Sequence, residues 1–338
     1  MENKRIVYIA PKTVVLRTED TPGPKANEVM VRLAVSTISS GTERANLLGT
    51  ECCSTGSLEP GVTYPVHHGY SSAGVVVEVG SEITKFKLGD RVSLSWSTHS
   101  QFVCAKEENV HLIEDDNVSF SNAALVHIAT FPLAAIRKCH LEFGETAMVM
   151  GLGVLGLVSV KLLRLCGANP IIAVDPVASK RELALKYGAD YALDPYAPDF
   201  AETARKLSNG GVQVAIEVTG VGQGLNGALD CMRKMGRVAL LGCTRRADFT
   251  VNYYQKVHGP GITLYGAHTM ARPTHESSNG LWTTHDDAMA LLRMISAGRL
   301  DLAGMVEETH APCEAPEVYT RLAEDKFFPI VQFDWSRL

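Results

Sequence analysis

The 338-residue sequence lacks several features that mark broad classes of protein. Its eight cysteines form no Cys-x-x-Cys pair and show no spacing of the kind found in disulfide-rich secreted domains. It has no basic excess, because 37 acidic residues outnumber 32 lysines and arginines, and it has no long run of like charge. Internal repeats and low-complexity tracts are absent as well. We therefore expect a reduced, cytoplasmic, folded protein that does not bind nucleic acid.

No apolar run is long enough to predict a membrane span. The most apolar stretch, residues 148–166, contains three glycines as well as Lys161 and Arg164, so it is interpreted as a buried strand followed by a helix. Near the start, the apolar run at residues 6–10 is too short for a signal peptide and predicts a first strand. The expectation is a protein with no membrane partner.

Short apolar segments suggest an α/β fold of two domains. Residues 1–120 contain β-branched runs separated by glycine turns, which predict a β-rich region. Residues 145–270 alternate short apolar runs with helical segments, a pattern typical of a parallel sheet covered by helices. Residues 119–138 predict a helix that is kinked or broken at Pro132. The tail predicts two helices and a last strand, and we expect it to return to the β-rich region.

One stretch carries a pattern typical of dinucleotide binding. An apolar strand at residues 147–150 leads into Gly-x-Gly-x-x-Gly at residues 151–156. Gly151 permits a tight turn, and Gly153 leaves no Cβ between the backbone and a pyrophosphate. Gly156 lets the following helix pack closely on its strand.

The context of this glycine turn strengthens the prediction. The helix that follows begins with Val154 and Leu155, whose amides would face the phosphates. A second strand at residues 171–174 ends at Asp175, about twenty residues beyond the last glycine, where an acid that binds ribose hydroxyls belongs. Strand, glycines, helix and acid together predict a dinucleotide site.

These motifs, together with Gly41-Thr42-Glu43, residues 69–80 and residues 86–92, resemble those of the medium-chain dehydrogenase/reductase family, of the alcohol and polyol dehydrogenase kind. Their order and spacing match over nearly the whole chain. The resemblance implies a GroES-like β-rich catalytic domain and a Rossmann domain with a doubly wound parallel sheet. It also implies hydride transfer to or from a nicotinamide cofactor, a small-molecule substrate, and a homodimer or homotetramer.

The domain boundaries implied by this resemblance make the catalytic domain discontinuous. It would comprise residues 1–127 and 271–338, and the Rossmann domain would comprise residues 128–270. Within the latter, Lys180 matches a family position that supports the ribose. Thr219 and Gly266 stand at the ends of later strands, where the nicotinamide should lie.

The cofactor is predicted to be NAD rather than NADP. The carboxylate of Asp175 would accept both ribose hydroxyls and would repel a 2′-phosphate at short range.

Zinc members of the family carry metal ligands at positions that hold other residues here. Ser40 stands where they have a cysteine, Tyr70 and Ser71 where they have a histidine and a glutamate, and His127 at the third position. The cysteine lobe for a structural zinc is missing too. Because hydroxyls are poor neutral zinc ligands, the sequence predicts a zinc-free enzyme. An improvised metal site stays open as an alternative, built from Cys52, Cys53, His67, His68 and His127.

Without zinc, other groups must hold the substrate oxygen and move its proton. Thr42 occupies a position at which the family keeps a hydroxyl for proton relay, and Glu43 is expected to support the turn. Because His127 alone titrates in the useful range, it is the predicted general acid/base, with Tyr70 and Thr42 holding the oxygen.

The function predicted from the resemblance is an NAD-dependent oxidoreductase that acts on a polyol, a sugar or another secondary alcohol or ketone. Three alternatives stay open: a zinc-free enone or quinone-type reductase, a lyase or epimerase that uses tightly bound NAD transiently, and a nucleotide-sensing protein without catalysis.

Overall fold

The computed structural model describes residues 1–50, 62–246, 249–325 and 327–338. Its backbone falls into two units. The first unit contains residues 1–50, 62–128 and 285–338, and the second contains residues 129–284, in each case as far as these are described.

Strands and helices are numbered in chain order. The strands are β1 (Glu2–Ala10), β2 (Thr13–Asp20), β3 (Glu28–Thr37), β4 (Val66–His67), β5 (Ser71–Val79), β6 (Arg91–Ser95), β7 (Phe102–Lys106), β8 (Val110–Leu112), β9 (Ala147–Met150), β10 (Ile171–Val174), β11 (Tyr191–Leu193), β12 (Val212–Glu217), β13 (Met232–Leu240), β14 (Thr263–Gly266), β15 (Glu308–His310) and β16 (Val331–Asp334). The helices are α1 (Ser40–Leu47), α2 (Phe120–Ala123), α3 (Val126–Lys138), α4 (Val154–Leu165), α5 (Ala178–Lys186), α6 (Phe200–Leu207), α7 (Gly222–Cys231), α8 (Thr284–Ser296) and α9 (Ala315–Glu324). None of the described helices is long and apolar enough to cross a lipid bilayer.

The described part of the first unit contains two β-sheets. In the larger one β15, β16, β3, β5, β6 and β8 follow one another, and β7 pairs with β3. Its pairs are antiparallel except for β15 with β16. The smaller sheet has the antiparallel order β2-β1-β4. One apolar core joins strands and helix, because α9 buries Val318 and Leu322, four residues apart on one face, in the same cluster as Val31 of β3.

The second unit contains a parallel sheet in the order β11-β10-β9-β12-β13-β14. Strands β9 and β10 are buried along their whole length, which explains their continuous apolar sequence. The strand order reverses between β9 and β12, as in a Rossmann fold. The predicted α/β fold class is therefore confirmed.

The carboxyl ends of these parallel strands lie in register. Val174 pairs with Met150 and Met150 with Glu217. Glu217 then pairs with Leu240 and Leu240 with Gly266. The loops that follow these residues therefore leave the same edge of the sheet, which is the edge where open α/β sheets bind ligands.

The segment predicted as one helix over residues 119–138 is divided into α2 and α3, and Pro132 lies inside α3. The helix is therefore not broken at Pro132; the break lies between Ala123 and Val126 instead. The carbonyl oxygen of Ala124, just after α2, accepts hydrogen bonds from Thr37 Oγ1 at 2.9 Å and from Ser71 Oγ at 2.6 Å. These side-chain donors satisfy the carbonyl where the short helix ends.

The second domain boundary lies at residue 284 rather than at the predicted residue 270. Two positively charged side chains hold the intervening segment to the second unit. Lys138 Nζ donates to the carbonyl oxygen of Ala271, and Arg272 donates to the carbonyl oxygen of Thr130 at 2.8 Å. Such side-chain contacts leave no periodic pattern in the sequence, so they could not be read from it.

Candidate active site

The glycine turn after β9 has the geometry that a dinucleotide requires. Gly151 has a φ of +97°, and a Cβ there would lie 2.8 Å from Cγ2 of Thr219. A Cβ on Gly156 would lie 1.9 Å from the carbonyl oxygen of Gly151, so only glycine lets α4 pack this closely on the turn. At Gly153, by contrast, no neighbouring atom lies within 4 Å of the place of a Cβ. That open space is where a pyrophosphate would approach the backbone.

The N-terminus of α4 is suited to an anion. Its N-cap residue is Gly153, so no side chain caps the helix. A phosphate can take the place of a cap at the amides of Val154 and Leu155.

Asp175 is buried and anchored from two sides. Its Oδ2 accepts a hydrogen bond from the amide of Leu152 at 2.8 Å, and its Oδ1 accepts one from the amide of Val177 at 2.9 Å. Each carboxylate oxygen can accept more than one hydrogen bond, so both can also accept one from a ribose hydroxyl. Lys180 lies in the first turn of α5 and is partly exposed.

Thr219 lies against the glycine turn and is held by a buried carboxylate. Glu217 Oε1 accepts hydrogen bonds from the Thr219 amide, at 2.7 Å, and from the Thr219 hydroxyl. Burial raises the pKa of Glu217. Further along this edge, the carbonyl oxygen of Gly266 accepts a hydrogen bond from Lys138 Nζ at 2.7 Å. The glycine turn, the uncapped helix and Asp175 fit a nicotinamide dinucleotide.

The first unit brings Tyr70, Thr42 and His127 together. The half-buried Tyr70 is hydrogen-bonded to the hydroxyls of Ser39 and Thr42. Its ring stands edge-on to the fully buried His127, with 5.7 Å between ring centroids and 87° between planes. Trp96 packs on the same histidine at 4.7 Å between centroids.

Tyr70 carries its phenolic proton at neutral pH and can donate a hydrogen bond. Desolvation raises its pKa to about 12, although the hydrogen bonds with Ser39 and Thr42 act in the opposite direction. The phenol therefore keeps its proton throughout the physiological range and cannot act as a base there.

A buried carboxylate lies behind this group. Glu43 accepts hydrogen bonds from Tyr319 Oη at 2.5 Å, from Tyr8 Oη at 3.2 Å and from the amide of Ser39 at 2.8 Å, and His99 Nε2 lies 3.1 Å from its Oε2. Burial alone would raise the pKa of Glu43, but the charge and hydrogen bonds of His99 and the other donors outweigh burial and lower the pKa. Glu43 is therefore ionised at neutral pH. It supports the turn, as expected, and also joins three distant segments of the unit.

The places where zinc relatives have ligands hold groups that do not fit a zinc ion. Ser71 Oγ donates to the carbonyl oxygen of Ala124 at 2.6 Å, and Ser40 is the first residue of α1. Tyr70 presents a protonated phenol, and zinc binds thiolate, imidazole or carboxylate. Among the described residues, no three His, Cys, Asp or Glu side chains are grouped so that they could hold a metal ion.

The alternative metal site is not assembled in the part of the chain that the structure describes. His67 Nε2 lies 3.0 Å from Glu19 Oε2, and His68 Nδ1 lies 3.4 Å from Asn46 Nδ2. Cys52 and Cys53 lie outside the described residues.

Two family profiles match the chain. The profile of the alcohol dehydrogenase GroES-like domain matches residues 25–131, and that of the zinc-binding dehydrogenases matches residues 154–282. The chain belongs to the medium-chain dehydrogenase/reductase family. This confirms the resemblance drawn from the glycine turn and from the motifs of the first unit, and it makes the protein an oxidoreductase by family.

Individual relatives of this chain are named as dehydrogenases. The D-guloside 3-dehydrogenase of Escherichia coli (strain K12) is 22% identical over a 339-residue alignment that covers 95% of this chain and 96% of that protein. The L-threonine 3-dehydrogenase of Pyrococcus horikoshii is 26% identical over a 314-residue alignment that covers 84% of each chain. A Sinorhizobium meliloti protein solved with bound NADP superimposes with a TM-score of 0.82 at 20% identity, over 99% of both chains.

Several members of the site were not predicted from the sequence. Ser39, rather than the neighbouring Ser40, contacts Tyr70. The preference of serine for the N-cap position could have pointed to Ser39, because it is the residue before α1. Glu217 could have been noticed as an acid at the end of an apolar strand. His99 carries no local signal at all, since its carboxylate partner lies 56 residues away.

Proposed function

We propose that this protein is an NAD(H)-dependent oxidoreductase that works without zinc and transfers hydride between the nicotinamide and a secondary alcohol or ketone of a polyol or sugar. The names of its relatives, a D-guloside 3-dehydrogenase and an L-threonine 3-dehydrogenase, support a secondary alcohol as substrate. The observation that carries the proposal is the protonated phenol of Tyr70 beside His127, at the places where zinc members have ligands.

The residues of the first unit would manage the substrate oxygen. Bound NAD supplies the redox chemistry by accepting or giving a hydride. Because Tyr70 keeps its proton, it donates a hydrogen bond to the substrate oxygen and does not remove a proton from it. His127 takes the hydroxyl proton as the alcohol becomes a ketone and returns it in the reverse direction. Thr42 helps to hold the phenol in place.

Preference for NAD over NADP is supported by the charges around Asp175. Its carboxylate would repel a 2′-phosphate. The nearby Arg181 donates to the main-chain oxygen of Asp175 at 2.7 Å and lies 3.5 Å from Asp194, so its charge is already compensated. Titration should show tighter binding of NADH than of NADPH. Asp175→Ser should narrow that preference by about tenfold, the effect of one lost charge-assisted hydrogen bond. Tighter binding of NADPH by the wild type would contradict the assignment.

The catalytic roles are tested by two substitutions. His127→Ala and Tyr70→Phe should each lower turnover by about a hundredfold to ten-thousandfold, because each removes a group that handles the proton or the oxygen. NADH binding should stay unchanged in both. Tyr196→Phe, which removes the hydroxyl of an exposed tyrosine in the second unit, is the matched control. Wild-type turnover in both active-site variants would show that the chemistry lies elsewhere.

The amount of cofactor consumed per product formed distinguishes this proposal from the alternatives. An oxidoreductase consumes added NAD or NADH in proportion to product, whereas a lyase or epimerase with tightly bound NAD does not. Comparing ketones with enones as substrates then distinguishes carbonyl reduction from double-bond reduction.

A further inference from the structure

Ser39 occupies the N-cap of α1 without acting as a cap. A serine in this position usually accepts a hydrogen bond from one of the first helical amides. Here the Ser39 side chain makes no capping hydrogen bond, and its hydroxyl contacts the Tyr70 hydroxyl instead. The hydroxyl has therefore been diverted from a stabilising role that its position offers.

The backbone of Ser39 is held firmly while its side chain is diverted. Its amide donates to Glu43 Oε1 at 2.8 Å, and Glu43 is in turn bound to Tyr8, His99 and Tyr319. Ser39 is 4% exposed and Glu43 1%, so water competes little for these contacts. The network fixes the point from which the Ser39 hydroxyl reaches Tyr70.

We propose that Ser39 is a positioning residue, whose hydroxyl donates to the Tyr70 oxygen and thereby directs the Tyr70 proton toward the substrate oxygen. A phenol has one proton and can accept hydrogen bonds at its oxygen. When the proton of Tyr70 is donated to a substrate, Ser39 must be the donor within the pair. The proposal rests on the proposed function in one respect only, namely that the group accepting the Tyr70 hydrogen bond is the substrate oxygen.

Several groups face the Tyr70 hydroxyl and its ring, so the contribution of Ser39 has to be isolated. Thr42 is a second hydroxyl partner, and the charge of Glu43 opposes ionisation of the phenol. His127 and Trp96 pack against the ring of Tyr70. A hydrogen bond from Ser39 stabilises the ionised phenol, so its loss should raise the pKa of Tyr70 further.

The experiment uses the full chain labelled with 3-fluorotyrosine, with the Tyr70 signal assigned by its loss in Tyr70→Phe. Fluorination makes the phenol more acidic and brings its ionisation into an accessible range. In Ser39→Ala the fluorine resonance of residue 70 should move, and its titration midpoint should rise. Ser39→Thr, which keeps a hydroxyl, should restore both toward the wild-type values. If Ser39→Ala does not fold, Ser39→Gly removes the same hydroxyl at a position where glycine is well tolerated.

The matched control is Ser93→Ala. Ser93 is fully buried in the same unit, and its hydroxyl donates to the carbonyl oxygen of Ala123 at 2.9 Å. This variant should leave the resonance and midpoint of residue 70 unchanged. An unchanged resonance and midpoint in Ser39→Ala would overturn the proposal. A shift that Ser39→Thr fails to reverse would also overturn it, because the hydroxyl would not be the cause.

Turnover provides the second arm. Ser39→Ala should lower kcat by about twofold to tenfold, the range expected for one hydrogen bond between neutral groups, and should leave NADH binding unchanged. If the wild type shows no oxidoreductase activity, the proposed function fails, but the fluorine measurements still decide whether Ser39 controls Tyr70. If activity is present and Ser39→Ala has wild-type kcat, the positioning role alone fails.

Discussion

Hydroxyl side chains in the first unit differ in what they bind, and this decides which of them can take part in chemistry. Thr37 and Ser71 both donate to the carbonyl oxygen of Ala124. A hydroxyl that donates to a main-chain carbonyl loses that hydrogen bond if it turns toward another partner. Tyr70 instead lies among other hydroxyls, which can reverse donor and acceptor roles at little cost. Residue type alone does not distinguish these two situations.

His111 shows how much a single buried residue can impose on stability. Its Nε2 lies 2.8 Å from Ser95 Oγ, and its Nδ1 lies 3.1 Å from Nδ1 of His285. The ring is fully buried. Desolvation, followed by the charge of His285, lowers the pKa of His111 to about 3. The folded protein therefore keeps this imidazole neutral well into the acidic range.

This residue should make the free energy of unfolding fall as pH falls. The unfolded chain binds a proton at His111 near the ordinary pKa of about 6.5, whereas the folded protein binds this proton only when the pH falls to about 3. His111 therefore does not lower the free energy of unfolding above about pH 6.5. Below that pH the free energy of unfolding falls by up to about 1.4 kcal/mol per pH unit. Urea unfolding of the wild type and of His111→Gln between about pH 3 and 6.5 gives the free energy of unfolding as a function of pH. The slope of this free energy against pH should be shallower in the variant. His275→Gln, at an exposed histidine, should keep the wild-type slope, and equal slopes in all three proteins would contradict the assignment.

At the scale of elements, the strand–turn–helix of β9 and α4 contains glycines that are needed for two different reasons. One glycine is required by packing, because a Cβ at Gly156 would meet the main chain at 1.9 Å. Another is required by the ligand, because the space beside Gly153 is open. Two glycines of the same motif are therefore needed for different reasons, Gly156 for packing and Gly153 for ligand binding.

Paired alanine substitutions should separate these two reasons. Gly156→Ala should lower the free energy of unfolding by about 1–3 kcal/mol or more, since the added methyl must displace the turn. Gly153→Ala should change stability by less than about 1 kcal/mol and weaken NADH binding by about tenfold or more, since the methyl would face the pyrophosphate. Urea unfolding and NADH titration measure both quantities on each variant. Equal stability of the two variants would show that the close approach at Gly156 is relieved by a small shift of α4.

For the molecule as a whole, family membership does not by itself determine metal content. The second profile that matches is named for zinc-binding dehydrogenases, yet the ligand places of this chain hold Ser40, Tyr70 and Ser71. Two of these side chains are engaged in hydrogen bonds of the first unit. A fold can keep its architecture when a metal site is replaced, because the neighbouring strands and core supply the packing.

Purified protein should contain well under one zinc per chain, and a chelator should leave its turnover and its urea unfolding curve unchanged. The reason is that hydroxyl ligands bind zinc weakly at neutral pH. Elemental analysis after dialysis measures the content, and a zinc-dependent dehydrogenase treated in parallel shows that the chelator works. Stoichiometric zinc that survives dialysis would revive the alternative site that includes Cys52 and Cys53.

The sequence by itself determined the features that depend on near neighbours. The strand, the three glycines and the start of α4 lie within about ten residues, and Asp175 follows at a spacing set by one strand–helix–strand unit. The positions of Tyr70, Thr42 and His127 could be assigned only because a family motif carried them. Their grouping in the structure agrees with that assignment, while their roles remain predictions.

Only the tertiary structure decided the surroundings of Glu43. Its partners Tyr8, His99 and Tyr319 lie 35, 56 and 276 residues away along the chain. No periodicity links them, because each comes from a different segment and is brought in by packing of the β-sheets and α9. The diversion of Ser39 from its cap to Tyr70 was undetermined for the same reason: local preference favours the cap, and a distant hydroxyl overrides it.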